Sequence, residues 1–435
     1  MRWLIIATLI LIVALVLRVG LLAYAMYVLL GALLVSRFLA YSWAQNLSAM
    51  RESNRLTAQL GDTIAVVITL RNQGRLPIAW VLAEDLLPRR ALLFRPPDLQ
   101  LEGDRIKLQL LWGHQRKHIF YRLKCNRRGY YQLGPTVAET GDLFGLHRRF
   151  RVLNEPHFLL VYPRVVSLEG FDIASRRPIG EVRMTYRLYE DPTRIAGVRE
   201  YLPGDPLSRV HWRATARTGH LHSKQYEPST IVGATVLLEF HAASHAKRNE
   251  PYRSELAVTA AASIANAVYE MGQQVGLVTN GRDAADRVRV EGWAFDPRTR
   301  KQARKAASMR EKSERLQPVC VQTRRGAEQL LRILETLARV ELTDGLRLPE
   351  LIQETEGRLP RDATVIAIVP EVTEEMVITL QDLKRRGYAV SAIVNIHEEY
   401  DFARISASLE SLGIDTHHLK NEASIPYVCQ RFLLR

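Results

Sequence analysis

The chain has 435 residues, long enough for two or three compact domains, and carries 60 Lys and Arg against 46 Asp and Glu for a net charge of +14. That basic balance suits an anionic membrane surface or a nucleic acid. The three cysteines, Cys125, Cys320 and Cys429, are odd in number and far apart, which argues against a disulfide scaffold or a zinc site and points to a reducing compartment.

The first 37 residues read as membrane material. Trp3 to Leu17 is an unbroken apolar run, Arg18-Val19-Gly20 interrupts it, and Leu21 to Val35 is apolar again before Arg37. Each half is short for a span, so the options are two tight helices in a hairpin, one long tilted helix, or a signal peptide. The last fits poorly, because the apolar region is too long and no small-residue cleavage site follows a short core. The hairpin is the expected form, with Gly20 in the turn, Tyr24, Tyr27, Tyr41 and Trp43 as interfacial anchors, and Arg18 snorkelling outward. Arg2, Arg37, Arg51 and Arg55 would then share the cytoplasmic side, giving a multi-pass protein of the inner membrane with its body in the cytoplasm. A single span would instead put the body outside.

From about Asn46 the pattern becomes alternating. Asp62 to Arg71, Ile78 to Glu84, Arg105 to Leu111 and His118 to Lys124 read as short strands separated by turn residues, so an antiparallel β-sandwich is expected over 46–165. Its end carries Arg127-Arg128-Gly129-Tyr130-Tyr131-Gln132-Leu133-Gly134-Pro135 and then Asp142-Leu143-Phe144-Gly145-Leu146. Turn glycines around a strand, with apolar anchors, explain these residues without a ligand. A polar linker leads to Val198–Glu227, where charged, aromatic and turn residues interleave densely. There Pro203-Gly204 predicts a turn, Asp205 a helix N-cap, Pro206 the first helical position, and Gly219 the end of a helix over about 207–217. Arg209 and Arg213 would share a helical face beside Trp212, and a strand from His220 to Tyr226 would carry Lys224 and Glu227 outward. Two readings fit: an ion-pair network involving Arg199, Glu200, Asp205 and Glu227, or an arginine site for phosphate or an acidic partner.

Beyond this stretch, strands and helices alternate. Gly233 to Phe240, Gln274 to Thr279, Thr364 to Val369 and Ala389 to Asn395 read as strands; Glu255 to Met271, Gly326 to Arg339 and Glu374 to Arg386 read as helices. Such alternation predicts a mostly parallel sheet covered by helices, an α/β Rossmann-like domain over 231–435. Arg298 to Arg325 holds ten Lys or Arg and only Glu311 and Glu314 as acids, so a solvated basic helix is expected within an insertion at about 282–325, able to touch anionic lipid. His220 with His222, and His417 with His418, have no third ligand in sequence and read as surface residues. No phosphate loop, nucleophile elbow or zinc-protease motif occurs.

Arg199-Glu200-Tyr201, Gly204-Asp205, Arg209, Trp212 and Ala216-Arg217, preceded by the two motifs at 127–135 and 142–146, resemble the signature of the bacterial membrane protein family catalogued as domain of unknown function 58. Departures are Leu143 in place of a proline, and Pro206 and His211 in place of acidic residues. The resemblance implies a von Willebrand factor A-like domain, in which the first strand ends in an Asp-x-Ser-x-Ser metal site. The corresponding Glu239-Phe240-His241-Ala242-Ala243-Ser244 lacks the aspartate and first serine. No metal is therefore expected, and Glu239, Ser244 and Thr279 form at most a degenerate site. It also implies a membrane-anchored, non-enzymatic scaffold or assembly factor, needing no cofactor, whose protein partner is a MoxR-type AAA+ ATPase. Arg199, Glu200, Tyr201, Gly204, Asp205, Arg209, Trp212, Arg213, Arg217, Lys224 and Glu227 are the partner-binding candidates, with membrane lipid as a second partner and nucleic acid disfavoured for want of interleaved aromatics. The rival classes are an envelope-facing binding or adhesion protein and a cell-envelope enzyme using Asp205, His211 or Glu227 as acid or base.

Overall fold

The computed structural model describes residues 2–93, 95–142, 145, 147–168, 190–201, 210–228, 233–285, 302, 316–360 and 363–428. The chain divides into two compact units: Met1–Arg164 with Arg282–Ser313 and Leu334–Glu341, and Val165–Gly281 with Glu314–Ile333 and Leu342–Arg435.

The first unit begins with two helices, α1 (Arg2–Val16) and α2 (Gly20–Gln45). Proline-free apolar runs favour them, and the break falls where Arg18 adopts a left-handed φ of 53°. Arg18 and Val19 donate to the carbonyls of Leu15 and Ala14 at 3.2 and 3.0 Å, closing α1 with paired C-terminal hydrogen bonds. The turn therefore belongs to Arg18, and Gly20, expected there, is the first residue of α2. Ala7 and Ala14 on α1 and Ala23 on α2 are buried, small residues that let helices approach closely. Among the described residues α2 alone is long and apolar enough to cross a membrane, while α1 is a shorter apolar helix. One side of the end of α2 is covered: Ser36, Ala40 and Trp43 are buried, and Trp43 joins the core of the strands that follow.

Those strands are β1 (Leu47–Ser53), β2 (Thr57–Ala58), β3 (Thr63–Asn72), β4 (Ile78–Asp85), β5 (Leu99–Gly103), β6 (Ile106–Leu111), β7 (Arg116–Cys125), β8 (Gly129–Leu133), β9 (Thr136–Gly141), β10 (Arg148–Val152) and β11 (His157–Val161), with a short α3 (Arg89–Leu93) after β4. They form sheets ordered β1-β3-β7-β5, β10-β9-β4-β6 and β2-β11-β8. Pairing is antiparallel except between β2 and β11. Period-two alternation places Ile64, Val66, Ile68 and Leu70 of β3, and Ile119, Tyr121, Leu123 and Cys125 of β7, on one inward face. Ile78, Val81 and Ala83 of β4 enter the same apolar core, so the two four-stranded sheets share it.

The second unit carries a ribbon of β12 (Glu190–Glu200) and β13 (His222–Pro228), with α4 (Trp212–Thr218) between them in sequence. Its main sheet is built from β14 (Gly233–Leu238), β15 (Gln274–Thr279), β17 (Val319–Arg324), β19 (Ala363–Val369), β20 (Ala389–Val394) and β21 (Asp415–His418) in the order β17-β15-β14-β19-β20-β21. The intervening helices are α5 (Tyr252–Glu270), α6 (Ala327–Arg339), α7 (Leu348–Thr355), α8 (Glu374–Arg385) and α9 (Glu399–Ser411). The short strands β16 (Arg282–Asp283) and β18 (Val340–Glu341) pair with each other and count with the first unit. All neighbours in the main sheet are parallel except β17, which runs antiparallel to β15. Val365, Ala367 and Val369 pack with α7, α8 and Leu409 of α9, while Ile366 and Ile368 are buried on the opposite face, explaining the continuous apolar runs. Residues 319–324, expected at the end of a solvated basic helix, instead complete the sheet as β17: Cys320, Val321 and Val319 lie opposite Val278, Leu277 and Thr279. Residues 298–315 other than 302 fall outside the described residues.

Candidate functional site

In an open α/β sheet, neighbouring strands whose connections depart in opposite directions leave a crevice outside their carboxyl ends. Here β14 is that strand, with β15 on one side and β19 on the other. Its last residues run directly into Glu239-Phe240-His241. The Glu239 amide is still in the ladder, donating to Ile368 O at 3.1 Å. The Phe240 amide donates to Asn280 Oδ1 at 2.6 Å, and Asn280 Nδ2 donates to Leu346 O at 2.7 Å, so the asparagine after β15 ties two loops together. Thr343 and Ala242 exchange backbone hydrogen bonds with Phe240 and Thr343 at 3.0 and 2.7 Å. The loop is thus a rigid frame built largely from backbone.

Into this frame Glu239 is set at 1% exposure. Its Oε1 accepts from Ser244 Oγ at 2.8 Å, and its Oε2 is buried without a hydrogen-bond partner. Burial pushes the carboxyl up to about 7 and Glu371 adds to the rise, against the opposing Ser244 hydrogen bond, the Arg347 charge and a Leu348 backbone hydrogen bond. Two histidines complete the loop. His241 Nδ1 accepts from Ala243 N at 3.1 Å, so Nδ1 is the unprotonated nitrogen. His245 Nδ1 lies 3.0 Å from the His241 carbonyl, which can only accept, so Nδ1 carries the proton and Nε2 is a lone-pair acceptor. That Nε2 is also buried without a partner, on a side chain 3% exposed that packs edge-on to Phe240. Two unsatisfied polar atoms, one able to donate when protonated and one able to accept, therefore sit in one short loop at the crevice.

Of the three residues expected to form a degenerate metal site, the structure joins only Glu239 and Ser244. The Thr279 hydroxyl accepts from Gly281 N at 3.1 Å and completes a turn. Among the described residues, no three His, Cys, Asp or Glu side chains are grouped so as to hold a metal. His241, His245, Asn280 and Glu371 belong to this region and were not singled out from sequence. The available signal was position: Asn280 and Asn395 directly follow the apolar strands β15 and β20.

The signature stretch forms the β12–β13 ribbon and α4. Arg199, Glu200 and Tyr201 lie at the end of β12, with Val198, Arg199 and Glu200 opposite Lys224, Ser223 and His222. Arg199 Nη1 donates to the Glu200 carbonyl at 3.1 Å, and Tyr201 N donates to Leu221 O at 2.9 Å. Gly204, Asp205 and Arg209 lie outside the described residues, and Glu227 is described in backbone only. Helix α4 begins at Trp212. Val210 bridges Ser223 and His211 N donates to His222 O at 2.8 Å, which holds the chain extended until Trp212. His211, whose Nδ1 accepts from Ala214 N at 3.0 Å, supplies the N-cap expected of Asp205. The pairing expected of Arg209 and Arg213 falls on Arg209, outside the described residues; Arg213 and Arg217, four apart within α4, share a helical face. No residue of α4 is buried, and Trp212 is 68% exposed.

The described residues of the two upstream motifs have structural explanations; Leu143, Phe144 and Leu146 lie outside the described residues. Gly134, with a φ of +86°, lies where an added Cβ would collide with the Arg51 guanidinium. A Cβ at Gly129 would meet the Tyr131 ring at 2.8 Å. Buried Arg128 donates to the carbonyls of Leu337 and Val340 at 2.7 and 2.8 Å, closing the end of a helix with a cation where the dipole favours one. Asp142 Oδ1 accepts from His147 N at 2.6 Å across the β9–β10 connection.

Residues 197–292 match the family model described as "Protein of unknown function DUF58". The match supports the DUF58 resemblance read from the sequence. The matched segment contains the end of β12, α4, β13, β14, α5 and β15, hence both the exposed ribbon and the Glu239 loop. The uncharacterized protein YeaD of Bacillus subtilis (strain 168) is 25% identical over 262 residues, 60% of this chain, and the match spans 62% of that protein's length. Among solved structures, proximal thread matrix protein 1 from the mussel byssus is 11% identical with a TM-score of 0.28, over 46% of each chain. The CARDB domain of PF1109 from Pyrococcus furiosus is 11% identical with a TM-score of 0.18, over 26% of this chain and 86% of that one.

Proposed function

We propose that this protein is a membrane-anchored, non-enzymatic scaffold that engages a MoxR-type AAA+ ATPase through α4. The observation that carries this reading is the exposed Trp212 beside Arg213 and Arg217 on a helix with no buried residue. Tryptophan and arginine dominate binding energy at protein interfaces, and an exposed tryptophan on a polar helix contributes nothing to its own fold. The arginine pair suits an acidic partner surface. The α/β unit is read as a von Willebrand factor A-like domain, supported by its strand order with one antiparallel edge strand. Both N-terminal helices cross the inner membrane as a hairpin with the body in the cytoplasm, in keeping with Arg2 and Arg37 on one side and the Arg18 turn on the other.

Affinity capture of the full chain from bacterial membranes, with and without ATP, tests this. An ATPase should co-purify with the wild type and be lost with Trp212→Ala. Capture unaffected by Trp212→Ala and by Arg213→Glu, or the absence of any ATPase from both preparations, would sink the reading.

A further inference from the structure

Strand β10 and the last turns of α2 lie side by side, rung by rung. His147 Nδ1 is 3.0 Å from Ser36 Oγ; the Arg149 guanidinium lies 5.8 Å from the centre of the Tyr41 ring; Arg151 donates to the carbonyls of Ala44 and Gln45 at 3.0 and 2.8 Å. Residues 147, 149 and 151 point to one side of an extended chain and span about 14 Å at ~3.4 Å per residue. The nine steps of helix from Ser36 to Gln45 also rise about 14 Å at 1.5 Å per residue. The two lengths agree, so β10 accompanies α2 from Gln45 up to Ser36.

This pairing places the bilayer boundary. Beyond Ser36 one side of α2 is clad by protein, whereas Gly20–Val35 presents apolar side chains outward, among them Val28, Leu34 and Val35. Those sixteen residues rise about 24 Å, and Arg18 and Arg37 at the two ends can reach into the polar layers, bringing the span close to the ~30 Å of a hydrocarbon core. Phe38 and Tyr41, both exposed, stand just past Arg37 where interfacial aromatics belong. His147, held to Ser36, and the start of β10 therefore lie at headgroup level. Arg148 emerges there with its side chain 68% exposed, its ion pair to Glu139 stretched to 3.7 Å. The other end of α2, at Gln45, is about 14 Å further from the bilayer. Gln73 N donates to Asn46 O at 2.7 Å and Asn72 Nδ2 to Trp112 O at 3.1 Å, which fixes Trp112 near the far end of α2.

We propose that the start of β10 and the adjoining turn of α2 form a collar that binds anionic phospholipid headgroups, with Arg37 and Arg148 contacting lipid phosphate. The collar sets the β unit directly on the membrane surface instead of letting it swing on a linker. It rests on α2 crossing the bilayer.

Depth-dependent quenching on the full chain tests both statements separately. Cys320 and Cys429 are replaced by Ser; Cys125 stays, since it is buried and burial pushes its thiol up to about 11, leaving it unreactive. Fluorophores are placed singly through Val28→Cys, Arg148→Cys and Trp112→Cys, and the protein is reconstituted into phosphatidylcholine–phosphatidylglycerol vesicles carrying either chain-brominated or headgroup-spin-labelled lipid. The expected result is chain quenching at 28 and headgroup quenching at 148 several-fold stronger than at 112. No chain quenching at 28 would remove the membrane reading and the collar with it. Chain quenching at 28, with 148 quenched no more than 112, would overturn the collar alone. In mixed vesicles, phosphatidylglycerol co-purifying with the Arg37→Gln/Arg148→Gln protein should fall roughly fivefold for each arginine removed. Unchanged recovery would overturn the anionic assignment.

Discussion

The β unit encloses Asp85 completely and surrounds it with donors, whereas the α/β unit encloses Glu239 almost as completely and leaves one of its carboxylate oxygens without a hydrogen-bond partner. Asp85 Oδ2 accepts from Arg51 Nε at 3.1 Å and from the Tyr121 hydroxyl at 2.5 Å; Oδ1 accepts from Arg51 Nη2 and from Thr136 Oγ1 at 2.9 Å. Arg51 in turn spends its remaining N–H groups on Thr136, Asn154 and the Glu155 carbonyl, at 3.0, 3.3 and 3.0 Å. Burial and the Asp85 carboxylate hold the Tyr121 phenol well above its usual range, so it stays a donor at any working pH. Every oxygen of that carboxylate is used, which is how a buried charge becomes architecture. Glu239 keeps Oε2 unpaired at a crevice where α/β sheets bind ligands, a cost that packing alone would have removed.

The largest effect should come from breaking the satisfied site. Asp85→Ala leaves the Arg51 guanidinium buried without its partner and should cost about 3–5 kcal/mol in denaturant unfolding, while a paired Arg51→Met/Asp85→Leu replacement costs much less. Equal losses for the single and paired variants would show that the network is not satisfied as described.

Glu239 should behave oppositely. Its native carboxyl titrates at about 7, against an ordinary 4.5. Below the lower value both folded and unfolded chains hold the proton; between the two the folded chain holds a proton the unfolded chain releases, so stability declines as pH rises, and above about 7 the full cost is present. At 1.36 kcal/mol per unit that cost is about 3 kcal/mol, and Glu239→Gln should recover most of it at pH 8 while leaving acid stability unchanged. Unfolding midpoints of the two proteins that run parallel from pH 5 to 8 would contradict the unpaired burial.

Gly134→Ala probes the frame of the satisfied site. The positive φ and the contact with Arg51 should together cost about 1–3 kcal/mol by thermal unfolding. Trp212→Ala, at an exposed helix start, should move stability by less than about 0.5 kcal/mol while abolishing partner capture. A larger loss would mean that the tryptophan packs within the fold.

Much of the secondary structure was legible in advance because burial leaves a local trace. The strand Gln274–Thr279 and the helix over Glu374–Arg385 follow from apolar runs and period, and β3 and β7 from strict alternation. The DUF58 segment was legible from ordered residue types alone. Local chemistry failed where a distant partner decided the outcome. Helix α4 starts at Trp212 because a bridge to Ser223 holds Val210 extended, and Cys320 sits in a sheet strand because Val278 lies opposite it. The first 45 residues announced themselves as apolar helix, yet only packing showed that α2 outlasts its exposed apolar stretch and continues along β10.

Sequence by itself determined that this chain begins with apolar helix, continues in short strands and ends in alternating α/β, since hydrophobic period is a property of neighbours along the chain. Tertiary structure alone decided which buried charges meet: Arg51 finds Asp85 across 34 positions, and Glu239 meets no such partner for its Oε2. Whether a buried polar atom is satisfied depends on groups brought from elsewhere in the fold, and no local pattern encodes that convergence.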